Sequence, residues 1–358
     1  MRDRISETSK SVEETLGQTV FSHTEHDNKL ASSIEDSIFL KLMDKEVYRN
    51  ESNSWVAPLP FKHPRQRLPN NREQAVRRFA SLQQSLEKKP EMQQQYVAFM
   101  GKILVNDHAE VAQVLEDDEE CWYLPSFGVY HPQKPGQIRV VFDSSAKHLG
   151  VSLNDVLLTG PDLNNSLLGV LMRFRKEKVA ILADIQQMFH CFLVREDHRN
   201  YLRFLWYRDN DVTKEIIDYR MKVHVFGNSP SPAVAIYGLR RAIREGAREH
   251  GSDTVNFVKR HFYVDDGLRS ASTDAKAISL LSRTQMSMAE SNLRLHKFAS
   301  NSQTVLEAFP SEDCAAVAKD FPGEDGGVRK VGLRTTNQGH SKTFFRPVSE
   351  VVLLLTKD

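Results

Sequence analysis

The chain has 358 residues, 40% of them apolar and 27% charged, with a formal net charge of +1. That is ordinary for a soluble globular protein with a real core, and the length suffices for two or three domains. So neutral an average excludes any argument from overall charge to a partner; a nucleic-acid channel would have to come from local basic density.

Residues 1–29 are polar and rich in Ser, Thr and Glu, and are expected to form a disordered tail without the apolar stretch of a secretory signal. Residues 30–115 read as a helical extension. Leu30, Ile34, Ile38 and Leu42 recur at helical spacing, as do Ala75, Phe79, Leu82 and Leu86 before Pro90, then Tyr96, Phe99, Met100 and Ile103. These stripes are core faces rather than ligand sites. Local basic density exists in "FKHPRQRLPNNREQAVRR" (61–78), "MRFRKEK" (172–178) and "LRRAIREGAR" (239–248), although each could equally be a solvated helix face.

From residue 122 the texture changes, and "QIRVVFDSS" (137–145) reads as a strand. "NNSLLGVLMRFRKEK" reads as a capped helix with Leu167, Leu168, Leu171 and Phe174 inward. "KVAILADI" (178–185) and "NYLRFLWY" (200–207) are buried strands. A helix follows from Ser231 as N-cap, with Pro232 at its first position, to Gly251. In "HFYVDDGLRSAS" strand residues flank Asp-Gly, a hairpin signal, and "STDAKAISLLSRTQMSMAESN" is a further helix. This order predicts an α+β layer, an antiparallel sheet with helices on one face. The Gly-rich stretch after residue 322 shows no period, and "VVLLL" (351–355) is too short to span a bilayer. Cys121, Cys191 and Cys314 have neither disulfide-framework nor zinc spacing, so an intracellular, reducing compartment is expected. His131, His190 and His261 likewise lack zinc-site spacing.

The chemistry concentrates in "YVDDG". Asp265 and Asp266 are adjacent like charges, which repel unless a cation joins them. Hard oxygen ligands with open positions suit a divalent cation used in phosphoryl chemistry. Asp184, ending an apolar strand, is the best third carboxylate; alone it could equally be a strand-end turn or a helix cap.

A strand-end Asp, a helix and a Tyr-Val-Asp-Asp hairpin resemble the palm of reverse transcriptases. "GPDLNNSLLGVLMRFR", "ADIQQMF", "RFLW", "VFGNSPSPAVA" and "LRLHKFASNS" stand in the order of the polymerase of BEL/Pao-type LTR retrotransposons. "WVAPLPF", "LPNNREQA" and "ECWYLPSFGVYHPQKP" also resemble that group's pol polyprotein, so the resemblance covers roughly residues 30–320.

The resemblance implies a right-hand polymerase with fingers and palm over 116–305, a thumb largely missing, and an irregular, truncated or divergent segment over 306–358. It implies an RNA-directed DNA polymerase that takes dNTPs and an RNA or DNA template with primer. Asp184, Asp265 and Asp266, with the backbone carbonyl of Ile185, would hold two Mg2+ ions, Mn2+ being an alternative. Phe189 matches an aromatic steric gate against the ribose 2′-hydroxyl, although periodicity alone makes it core. Arg139 and Lys134 match triphosphate-gripping fingers residues, Phe226 and Gly227 line the nucleotide pocket, Tyr263 faces the primer terminus and Lys297 lies near the pyrophosphate. Tyr263 and Lys297 could equally be packing or surface residues. The sequence carries no second acidic constellation for RNase H and no integrase-type zinc array. The alternatives are a catalytically silent remnant that binds nucleic acid through its basic helices, and a metal-dependent nuclease. The nuclease leaves the fingers, gate and Phe-Gly motifs unexplained. Nothing bears on oligomeric state, and no membrane partner is expected.

Overall fold

The computed structural model describes residues 33–116, 118–131 and 134–315, the side chains of 131–137 excepted. The expected tail, Leu30 and the segment from 316 onward lie outside the described residues, as does the side chain of Lys134. The first half runs α1 (Ile34–Glu46), β1 (Tyr48–Arg49), β2 (Trp55–Ala57), α2 (Arg72–Glu87), α3 (Pro90–Val105), β3 (Ala109–Val111), β4 (Ser126–His131) and β5 (Lys134–Phe142). Next come α4 (Leu167–Phe174), β6 (Val179–Ile185), β7 (Phe192–Val194), β8 (Arg203–Tyr207) and β9 (Ile216–Met221). The last part is α5 (Ser231–Glu245), α6 (Ser252–His261), β10 (Phe262–Tyr263), β11 (Asp266–Ala271), α7 (Asp274–Ala289) and β12 (Leu295–Ser300). None of the described helices is long and apolar enough to cross a membrane.

A four-stranded antiparallel sheet, ordered β10-β11-β6-β12, carries the predicted acidic motif. Side chains alternate along β6. Val179, Ile181, Ala183 and Ile185 enter the larger core with α1, α5, α6 and α7, whereas Leu182 joins Leu268 and the Val170 and Phe174 of α4 on the opposite face. Helices therefore cover both faces, not one as the sequence predicts, because α4 is apolar enough to close the second face. That cover stops short of Asp184. The two-period alternation puts Asp184 on the α4 face but outside the apolar cluster there, with its side chain 23% exposed.

A second core joins α2, α3, β5, β8 and β9. Its centre is aromatic: Trp206 stacks on Tyr96 with centroids 5.3 Å apart and takes the Phe79 ring edge-on at 6.1 Å. The two cores meet at β7, which contributes Phe192 to one and Val194 to the other and pairs in parallel with β2.

The predicted faces of α2 and α3 are buried through Ala75, Phe79, Leu82, Leu86, Tyr96, Met100 and Ile103. The face of α1 is not the predicted one. Ile34 and Ile38 are 81% and 49% exposed, and the larger Phe39 and Met43 point inward. In α4 it is Val170 with Phe174 that turns inward, while Leu168 is exposed. Ser231 does not cap α5; its hydroxyl donates to the Val225 carbonyl at 2.7 Å, tying down the loop that precedes the helix. Helix α5 ends at Glu245, and after a break at Gly246 one further helical turn, Ala247–His250, carries the helical stretch to Gly251, where the sequence places its stop. The unforeseen α6 follows, with Thr254, Phe257, Val258 and His261 buried at the spacing that marks a helix. Beyond residue 305 order persists: Phe309 packs on Phe298 at 4.5 Å, and the Ala315 N–H donates to the Phe298 carbonyl at 2.9 Å.

Several buried histidines stay neutral. Burial lowers His190, His198, His224 and His261 to about 4. The unfolded imidazoles take up protons near their ordinary value, so the stability these groups lend is present above it and is lost as pH falls towards 4. We expect the urea midpoint to fall between pH 7 and pH 5, with fully buried His224 alone accounting for roughly 2 kcal/mol. A flat midpoint over that interval would contradict neutral burial.

Candidate active site

The hairpin that presents the aspartates turns one step earlier than Asp-Gly suggests. Tyr263 pairs with Asp266, so Val264 and Asp265 form the two-residue turn and Gly267 lies inside β11. Val264 alone takes positive φ, +58°, the pattern of a type II′ turn normally begun by glycine. A β-branched residue there is strained, and such strain concentrates at functional sites. Gly267 is needed for packing instead: a Cβ on it would lie 2.6 Å from the Phe262 ring.

Register then assembles the carboxylates. Asp266 is the direct partner of Asp184 across β11 and β6, and His296 is its partner on the β12 side. Residues paired this way share a face, so Asp184, Asp266 and His296 open together at one sheet end. Asp265 sits on the turn beside them; its carbonyl accepts the Ile185 N–H at 3.0 Å. Burial, and secondarily the Asp184 charge, push the Asp265 carboxyl above its ordinary value. Lys297 donates from Nζ to Asp184 Oδ2 at 2.7 Å, and His296 Nε2 lies 3.4 Å from Oδ1.

Hard carboxylate oxygens, one of them on a half-buried aspartate that resists ionising beside its neighbour, form a donor set that suits a divalent cation. Asp184 accepts from Lys297, and no choice of one oxygen from each of the three carboxylates brings them within 4.8 Å of one another; among the described residues only Glu249, His250 and Glu290 bring one ligand atom each so close together.

Phe189 follows in a 3-10 turn spanning Met188–Cys191. It is partly buried against the larger core, yet its ring also meets that of Phe226 at 5.9 Å, tilted 56°. Phe226 is 64% exposed. Beside it, Gly227 has φ +122°, and a Cβ there would lie 2.4 Å from the Phe142 carbonyl oxygen of β5. The same Cβ would lie 3.8 Å from Val141, which shares a face of β5 with exposed Arg139. Through Gly227 the β4–β5 ribbon thus abuts the loop bearing Phe226, whose ring meets that of Phe189, five residues after Asp184 in the chain. The structure brings Asp184, Ile185, Asp265, Asp266 and Lys297 together and links Phe189, Phe226 and Gly227 in a second cluster. Arg139 makes no hydrogen bond or ion pair to the described residues. Tyr263 packs partly against the Val170–Phe174 cluster.

Gly227→Ala is expected to destabilise the chain by about 2 kcal/mol or more, since it combines an unfavourable φ with a backbone clash. Denaturation melts give the cost, and an unchanged midpoint would show that the loop can move away from β5.

Of the basic stretches, the first is largely tied up internally: Arg65 binds Glu120 at 2.7 Å, Arg72 binds Asp218 at 2.9 Å and Arg78 reaches Asp143 at 3.4 Å. His296 had no sequence signal. Only the register of β12 puts it beside Asp184.

No family model and no curated protein matches the chain. Solved structures do show similarity. A foamy viral protease–reverse transcriptase dRH in complex with double-stranded DNA aligns at 17% identity and TM-score 0.43, over 75% of this chain and 41% of that one. The foamy viral protease–reverse transcriptase in complex with RNA/DNA hybrid aligns at 15% identity and TM-score 0.41, over 75% and 31%. The Prototype Foamy Virus protease–reverse transcriptase CSH mutant aligns at 15% and 0.43, over 81% and 30%. The aligned region is less than half the length of each of these proteins.

Proposed function

We propose that this chain is the fingers and palm of an RNA-directed DNA polymerase of the BEL/Pao retrotransposon type. It would bind a template–primer and add deoxynucleotides to the primer end. The observation that carries the reading is the in-register pairing of Asp184 with Asp266, with Asp265 on the adjoining turn. Asp184, Asp265, Asp266 and the Ile185 carbonyl would hold the Mg2+ pair, Mn2+ being an alternative. When bound, the metal makes the primer 3′-hydroxyl a better nucleophile and offsets charge on the triphosphate.

The remaining roles belong to the protein. Exposed Arg139, with the fork geometry of a guanidinium, grips the triphosphate, and Lys134 on the same strand adds charge. The Phe189 and Phe226 rings wall the sugar side, where an added 2′-hydroxyl would collide. Gly227 lets the backbone approach the nucleotide closely. Tyr263 faces the primer terminus, and Lys297 lies on the pyrophosphate side. The division into a 30–115 extension, a 116–305 catalytic unit and a C-terminal remainder is part of this proposal.

Primer extension on poly(rA)/oligo(dT) with Mg2+ tests it: metal-dependent dTTP incorporation is expected. Incorporation absent while template–primer binding persists in anisotropy would favour a silent remnant. The ammonium of Lys297 seated on Asp184, with the carboxylates not converged, is the observation on that side.

A further inference from the structure

We infer that Lys297 is the resident counter-ion of the aspartate cluster and that a divalent cation binds by exchanging with it. The inference rests on the metal-binding reading proposed above, and adds that metal affinity is set by competition with a side chain built into β12.

Backbone geometry carries the argument. In β12, Leu295 pairs with Ile185 and His296 with Asp184, and pairing resumes with Ala299 opposite Leu182. Lys297 and Phe298 together therefore oppose the single residue Ala183, which is a β-bulge. Regular alternation would have pointed Lys297 into the larger core. The bulge gives that inward place to Phe298, which is fully buried, and leaves Lys297 as the extra residue with φ +51°. A non-glycine residue takes that conformation at a cost, and a bulge re-aims a side chain. Here the re-aimed ammonium reaches Asp184 Oδ2 at 2.7 Å, while His296 lies on the other oxygen at 3.4 Å.

The electrostatics agree. Three carboxylates at one sheet end repel, and a cation on Asp184 lowers that repulsion. Lys297 supplies that charge from a flexible stem that is more than half exposed. It can swing into solvent when a doubly charged ion takes Asp184, and would then be free for the triphosphate.

The test is Mn2+ binding to the full chain without nucleic acid, read by electron paramagnetic resonance of free Mn2+. Lys297→Met should bind Mn2+ roughly two- to fivefold more tightly than wild type, the span expected when a partly exposed ion pair no longer competes. Lys297→Arg, which keeps the competing charge, should stay near wild type. Lys297→Gly removes the ammonium in a residue that favours positive φ, so tighter binding there guards against a folding defect in the Met variant. Asp184→Asn should abolish the site in every background. Asp184-dependent binding of equal or weaker affinity in both Met and Gly variants would overturn the exchange and leave the polymerase reading intact. No Asp184-dependent Mn2+ binding in any variant would overturn both.

Discussion

Asp265→Asn is expected to remove metal-dependent nucleotide incorporation, by on the order of 10³-fold, while making the metal-free protein more stable at neutral pH. The two effects share one cause. Asp265 is half-buried on the hairpin turn, and burial together with Asp184 raises its carboxyl above the ordinary value. A carboxyl raised on folding lends its stability below the unfolded value and loses it as pH rises through the folded value. At neutral pH the folded chain therefore holds an unfavourable charge. The amide is nearly isosteric and carries none, so in EDTA the variant should melt higher than wild type. The gap should close as pH falls towards the ordinary carboxylate range. Loss of activity with gain of stability separates a residue kept for chemistry from one kept for folding. An Asn variant that stays active, or one that melts lower in EDTA at pH 8, would remove Asp265 from the proposed site.

Trp206→Ala is expected to cost about 3–5 kcal/mol of unfolding free energy, the span for deleting a large aromatic from a packed core. Trp206 is fully buried, stacked on Tyr96 and edged by Phe79 and Tyr207. Its indole N–H donates to Asn210 Oδ1 at 2.8 Å, and the Asn210 amide donates in turn to the Val97 carbonyl of α3 at 3.1 Å. Truncation leaves a ring-sized void and a carbonyl oxygen without its donor, in a region too tightly linked to collapse over it. The same core holds Phe142, whose carbonyl abuts Gly227, so the loop bearing Phe226 should loosen as well. Guanidinium denaturation measures the loss, with Val114→Ser, at a loop position 95% exposed, as a control expected within about 0.5 kcal/mol. A Trp206 cost near 1 kcal/mol would mean that this core is not jointly packed.

Local signals were legible where the side chain itself carries the physics. The inward faces of α2 and α3 follow from apolar spacing, and the strand ending at Asp184 from its apolar run. Asp265 and Asp266 stood out because adjacent like charges need a reason, and Asp184 because it closes an apolar run. The sequence misled wherever two local readings competed. In α1, Ile34 and Ile38 satisfy the same spacing as Phe39 and Met43, and only the surface available opposite the helix decides which pair is covered. Asp-Gly is a common turn, yet the chain turns at Val264–Asp265 because the Phe262 ring needs the bare backbone of Gly267. His296 was invisible for a related reason, since its role depends on strand register. A one-residue slip moves every side chain to the other face.

The sequence by itself determined the chemical inventory: which carboxylates exist, which strand ends in one, and in what order the motifs occur. Only the tertiary structure decided that Asp184 faces Asp266, that α4 closes the second face of the sheet, and that a bulge turns Lys297 onto the acid cluster. Composition and periodicity are local properties. Register and bulges are set by how distant strands satisfy one another's backbone hydrogen bonds and shared core, and no short window of sequence contains that information.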